Sequence, residues 1–307
     1  MGDPTADTMK GRSANRSHSA RTEGAGAGEG TGQPTAAGPR GRRELLRPRV
    51  LLTRFRTPRH PKLWFEIVLI GVSYWVYSLI RNAVPEERRT ALRHAADVWS
   101  LESHLGLNVE RSINHAINKV DWLIVGMNYY YATLHFIMTI GVLVWLYVKH
   151  PGRYGPARLV LFVTTWLALV GFWAFPLAPP RLMTGGHFID TVLVHRTWGS
   201  MSQGSLSQVS NQYAAMPSMH IGWSLWCGIT IVTLAKPLWV RILGALYPVA
   251  TLLVIISTAN HFWMDAIGGA LCLAVGYTVA YLAYGRWAYR LPVAPAAESA
   301  TASLPQK

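Results

Sequence analysis

Cysteine is nearly missing from the chain: 307 residues contain two, Cys227 and Cys272, both inside apolar runs. Two such residues give neither a disulfide framework nor a CxxC metal pattern. Acidic residues are scarce as well, 15 Asp and Glu against 29 Lys and Arg, and all charged residues together reach only 14 %. An average globular domain carries roughly 25 %, so an ordinary soluble fold is excluded. No GxxxxGK[ST] segment occurs, which removes that form of nucleotide site. No internal repeat is visible, and no apolar core of roughly 7–15 residues follows the first charges, so no secretory signal is predicted.

What the chain does have is apolar and aromatic. Hydrophobic residues make up 50 %, and 13 Trp and 13 Tyr suit the interfacial belts of a membrane protein. A bilayer core takes about 20 apolar residues, and that length gives six candidate spans, near 63–80, 122–148, 158–175, 217–235, 238–258 and 264–285. The expectation is an all-α, polytopic membrane protein: a six-helix bundle over 61–290. Between the first two spans, residues 85–120 alternate charged and apolar positions and predict two short amphipathic surface helices split near Gly106. Residues 1–60 are rich in Gly, Ala, Ser, Pro and Arg without apolar periodicity, and predict a disordered basic arm. Residues 291–307 predict a disordered tail.

The net charge of +14 resembles that of a nucleic-acid binder, yet the excess lies in the arm and in short loops. Membrane orientation accounts for it, and no nucleic-acid partner is predicted. With the N-terminus inside, the cytoplasmic segments carry 21 Lys and Arg and the opposite side 8. By the positive-inside rule, both termini are cytoplasmic in an integral plasma membrane protein.

That topology sends three clusters to the non-cytoplasmic side. In FPLAPPRL (175–182) two prolines end a span and leave Arg181 at the membrane face; an interfacial arginine on lipid phosphate is the plainer alternative. In AAMPSMHIGW (214–223), Pro217 suits a first helical turn. The N–H groups of Ser218, Met219 and His220 would then form an anion site, to which the Ser218 hydroxyl could add; a simple capping turn is the alternative. In STANHFWMD (257–265), His261 and Asp265 stand one helical turn apart, so the carboxylate can fix the imidazole's tautomer. Asp265 is also the only acid in the last four spans, where an ionisable group is expensive; a structural His–Asp pair would explain it too. His135, inside the second span, could line the same cavity or simply pack. Together these residues suit phosphoryl transfer through a covalent phosphohistidine and fit metal hydrolysis poorly.

Six spans and the ordered series PPR, PSxH and NHxxxD resemble the phosphatidic acid phosphatase type 2 superfamily, whose motifs read KxxxxxxRP, PSGH and SRxxxxxHxxxD. The forms APPRL, AAMPSMHxxW and NHFxxD look closer still to its inositol phosphorylceramide synthase-like branch. The resemblance covers about residues 63–285. It implies a lipid phosphotransferase that needs no metal or cofactor and moves a head-group phosphate, such as inositol phosphate, between lipid-type substrates. His261 would be the nucleophile, Asp265 its orienting partner and His220 the acid and base. Arg181, Ser218 and Asn260 would hold the phosphate.

The chain departs from the superfamily pattern at three places. Ala174 stands where the first motif has lysine, Ile255 where the third has arginine, and Met219 replaces the glycine of PSGH. A pocket that has lost two cations is better matched to a singly charged phosphodiester than to a nearly dianionic monoester, unless Arg196, His187 or His195 restores charge. The rival readings are a phosphatase acting on phosphatidic acid or isoprenoid phosphates and, from another class, a non-enzymatic transporter or lipid-binding protein. A histidine-ligated haem protein is a more distant one. The oligomeric state is not legible.

Overall fold

Proline and glycine mark most of the helix ends. The computed structural model describes residues 62–83, 88–183, 185–197 and 212–292; the arm (1–60) and all but the first two residues of the tail (291–307) lie outside the described residues. Among the described residues the protein is 78 % helical, with no strand. In chain order the helices are α1 (Leu63–Ala83), α2 (Arg88–His104), α3 (Glu110–Ile117), α4 (Asp121–Lys149), α5 (Pro151–Ala174), α6 (Thr191–Val194), α7 (Met219–Leu234), α8 (Leu238–Ser257) and α9 (Trp263–Tyr284). The turn between α2 and α3 contains Gly106 at φ +70°, a left-handed conformation that glycine adopts without Cβ strain. A left-handed Gly285 ends α9 in the same way.

Four of these helices, α4, α5, α8 and α9, are long and apolar enough to cross a membrane. Two further apolar stretches, Leu63–Val76 and Met219–Leu234, are helical but shorter. The expected span at 217–235 is trimmed because Pro217 precedes the helix and the Lys236–Pro237 step ends it. The outer faces remain apolar: Leu243, Leu246, Leu271 and Leu282 are all more than half exposed. A hydrocarbon solvent makes that surface favourable, and with four helices of spanning length the chain is an integral membrane protein.

Small residues let the helices approach closely. A Cβ on Gly228 of α7 would lie 2.7 Å from the Gly244 carbonyl of α8, and one on Gly276 of α9 2.8 Å from the Val160 carbonyl of α5. Such small-residue seams are the usual way apolar helices associate in lipid. The tightest contact is at Gly269, where a Cβ would come within 2.2 Å of the Ser218 carbonyl at the start of α7. Backbone at that distance cannot yield. Gly269→Ala is therefore expected to lower stability by roughly 1–3 kcal/mol, because it forces α9 away from the start of α7. Thermal melting of the purified protein checks it.

Candidate active site

Four helix ends meet at one end of the bundle: the C-termini of α5 and α8 and the N-termini of α7 and α9. The loop after α5 lies against the loop before α7, with the Leu177 amide donating to the Tyr213 carbonyl at 2.8 Å and the Ala215 amide to the Leu177 carbonyl at 3.3 Å. Pro180–Leu182 then forms a 3-10 turn, and the Arg181 amide donates to the Ala259 carbonyl at 3.0 Å. That bond ties the arginine's backbone to the turn that leads into α9.

The Arg181 guanidinium is held on three sides. Its Nε donates to Asn260 Oδ1 at 3.0 Å, one terminal nitrogen to Asp190 Oδ2 at 3.0 Å and the other to Gln212 Oε1 at 3.4 Å. Asp190 is itself fixed, because its Oδ1 accepts the Val192 and Leu193 amides at the start of α6. A planar fork gripped in this way has one orientation.

His261 is buried just before α9. Its Nδ1 lies 3.1 Å from Asp265 Oδ2, which also accepts the Phe262 amide at 3.0 Å. A carboxylate there holds the proton on Nδ1 and leaves the lone pair on Nε2, and Nε2 has no hydrogen-bond partner among the described residues. The His220 ring centroid is 5.5 Å from that of His261. His220 stacks on Tyr131 at 4.2 Å and lies 4.3 Å from His135. Tyr131 belongs to a π turn, Tyr130–Leu134, inside α4, a widened section of helix often found at functional sites. Its carbonyl receives both His135 Nδ1 at 3.1 Å and His220 Nε2 at 3.2 Å. A carbonyl only accepts, so both of these ring nitrogens carry protons.

These groups surround a cavity of about 270 Å³. Arg181, His220, Asn260, His261 and His135 line it, as do Tyr131 and Gln212. Asp265 stands behind His261, fully buried. Ser218 does not line the cavity: it is fully buried, and its hydroxyl has no partner among the described residues. Its amide also departs from expectation. It donates to the Asp265 carbonyl at 2.9 Å, leaving two of the three N–H groups predicted for an anion. Pro217 sits one residue before the helix cap rather than in the first turn. Arg196, His187 and His195 are not among the lining residues, and His195 Nε2 is 2.9 Å from Asn118 Oδ1.

Reading the motifs missed Asp190, Gln212 and Tyr131. Asp190 had a signal, being the only acid between 176 and 216 and standing where a helix cap belongs in IDTVL. Gln212 and the Tyr131 carbonyl had none, since neither residue type nor spacing marks them.

A second, apolar cavity of about 410 Å³ lies between α1, α4 and α5, with Ile70, Tyr74, Ile140, Leu161 and Leu169 among its walls. It shares Phe136 and Trp223 with the first cavity. Trp223 is anchored there by its Nε1 donating to Thr165 Oγ1 at 3.0 Å.

No curated protein and no solved structure matches the chain. A family model does match, that of the PAP2 superfamily, over residues 96–279. The matched stretch contains every residue that lines the first cavity, together with Asp190 and Asp265. Because it also takes in more than half of the chain, the protein belongs to the PAP2 superfamily, a group of phosphatase-type membrane enzymes.

Proposed function

We propose that the protein is a membrane lipid phosphotransferase that works through a phosphohistidine on His261 and moves a head-group phosphate between lipid-type substrates. The observation that carries this reading is the His261 ring. Its Nδ1 is bonded to a buried carboxylate, its Nε2 is unpartnered among the described residues, and a three-way-held arginine borders the same cavity. In the first step the Nε2 lone pair forms a P–N bond while the bond from phosphorus to the departing lipid oxygen breaks. His220 gives that oxygen a proton. In the second step His220 takes the proton of the acceptor alcohol, the new oxygen binds phosphorus and the P–N bond breaks. Arg181, Asn260 and the Met219 and His220 amides steady the phosphate oxygens as charge shifts. Ser218 contributes through the backbone turn that it caps.

Two features favour a phosphodiester lipid, an inositol phosphate donor among the candidates. Arg181 is the one arginine or lysine lining the cavity among the described residues, and Asp190 neutralises part of its charge. A doubly charged phosphomonoester finds little compensation there. The apolar cavity behind Phe136 and Trp223 supports a lipid substrate, because a hydrocarbon chain laid in it would leave the head group beside His261. We read α1 and α7 as the remaining two spans of a six-span plasma membrane protein, with α2 and α3 at the surface. Both termini are then cytoplasmic and the site opens to the opposite side, as the loop charges favour.

The test is to incubate purified protein with donors labelled on phosphorus and to quench rapidly. An acid-labile phosphohistidine mapping to residue 261, discharged faster by added lipid alcohol than by water, is the expected result. Rapid release of inorganic phosphate from phosphatidic acid or an isoprenoid phosphate, with no transfer to alcohol, would instead make the protein a lipid-phosphate phosphatase.

A further inference from the structure

Two carboxyl groups outside the catalytic cavity are completely buried: Glu102 on α2 and Glu110 at the start of α3, on either side of the Gly106 turn. A carboxylate so far from water needs donors or a cation. Glu102 Oε1 has one donor, the Met264 amide at 2.9 Å. Glu102 Oε2 and both Glu110 oxygens have no donor among the described residues. Among the described residues, no group of three or more His, Cys, Asp or Glu is arranged to hold a metal ion. We propose that Glu102 and Glu110 share a proton and act as positioning residues, clamping the N-terminus of α9 and with it the His261–Asp265 pair. This rests on the phosphotransfer reading of that pair.

Electrostatics supports the clamp. The titratable groups that act on Glu102 are Glu110 from α3 and Asp265 from α9, both acidic. Burial is the largest influence on Glu102 and the neighbouring Glu110 carboxyl the next, and together with the Asp265 charge they push its carboxyl up to about 9, against the opposing pull of the Met264 amide. Two adjacent carboxylates in a dry site cannot both ionise. A shared proton joins Glu102 Oε2 to one Glu110 oxygen and removes one of the negative charges beside Asp265.

The geometry explains why the clamp matters for chemistry. The first amides of a helix lack intrahelical acceptors. Here Asp265 Oδ2 takes the Phe262 amide and Glu102 takes that of Met264. Met264 directly precedes Asp265, so a shift of its amide carries the Asp265 carboxylate away from His261. The next polar residue on the same face of α3 serves the same end. Asn114 Nδ2 donates to the Ser257 carbonyl at 2.8 Å, where α8 ends, and its Oδ1 accepts the Ile189 amide beside Asp190 at 2.8 Å.

The pair's proton can be read in two ways on the full chain in detergent. With the Glu102 carboxyl pushed up to about 9, the folded protein should hold the proton into the alkaline range, whereas an unfolded glutamate loses it near 4.5. The stability it gives is therefore present at low pH and lost as pH rises through that window. Between about pH 4.5 and pH 9 the thermal midpoint of the wild type should fall relative to that of Glu102→Gln, which carries an amide in place of the acid. This reading needs no activity, so it holds even if the phosphotransfer reading fails. In turnover, Glu102→Gln, which keeps an acceptor for Met264, should stay close to the wild type at neutral pH and lose the wild type's alkaline decline. Glu102→Leu should lower kcat by about 10²-fold with little change in KM. If Glu102→Leu fails to fold, the glutamine comparison decides. Identical pH dependence of melting in the wild type and Glu102→Gln would overturn the proposal. So would a Glu102→Gln enzyme as inactive as Glu102→Leu, or a loss of wild-type activity in EDTA that calcium or magnesium restores.

Discussion

Replacing His261 by alanine is expected to lower lipid phosphoryl transfer by roughly 10⁴–10⁶-fold, the scale seen when a nucleophile working as one unit with its partners is removed. The labelled protein adduct should vanish with it. The fold should survive, since among the described residues His261 makes one side-chain hydrogen bond, to Asp265. Asp265→Asn is the sharper companion. An amide can turn its NH₂ toward Nδ1 and hold the ring in the tautomer whose Nε2 carries the proton, which cannot attack phosphorus. The expected loss is roughly 10⁴-fold, as for other orienting carboxylates. Lipid binding, measured with a fluorescent phospholipid, should persist in both variants. A His261→Ala protein that moves lipid or phosphate as fast as the wild type would make the chain a transporter or lipid-binding protein instead.

The second large effect is expected at Arg181. Lysine keeps the charge there but cannot reach Asn260, Asp190 and Gln212 together, as the guanidinium does. Arg181→Lys should therefore lower kcat by about 10²–10³-fold, the range for losing one aligned donor to a transition-state oxygen. Asp190→Asn examines the other half of the ion pair. It removes a negative charge 3.0 Å from the guanidinium while keeping an oxygen in place. The electrostatic change should raise kcat/KM for a phosphomonoester relative to a phosphodiester by about tenfold. An unchanged ratio would mean that charge does not set donor choice, and the diester preference would have to rest on shape.

The membrane character of the chain was legible because a span needs little more than length and apolar residues. All six apolar segments are helical in the structure, and the split near Gly106 falls where a residue at φ +70° is required. Lengths were less legible. The fourth segment shortens to Met219–Leu234 because its first residues turn back to bond with α9, through the Ser218 amide and the Asp265 carbonyl. The break in the regular ladder at Tyr130–Leu134 left no mark either, since YYATL contains neither proline nor glycine. The alternation over 85–120 predicts amphipathic helices, and the buried side of α2 and α3 joins Glu102, Glu110 and Asn114 to Ala91, Ala95 and Val98, the polar groups having neighbours up to about 160 positions away in the chain.

The sequence by itself determined which chemistry was available: one His–Asp pair at helical spacing, a second histidine after PS, and an arginine after PP, in an apolar chain with few other acids. Those are local facts, fixed by residue type and by the 3.6-residue turn. Only the tertiary structure decided what each group meets. It set Asp190 and Gln212 against Arg181, turned the Ser218 amide away from the cavity, and lodged two imidazoles on one carbonyl of a helix more than eighty residues from His220. Such contacts depend on where helix ends converge, and in lipid that convergence follows from close packing at small residues such as Gly269, which motif spacing does not encode.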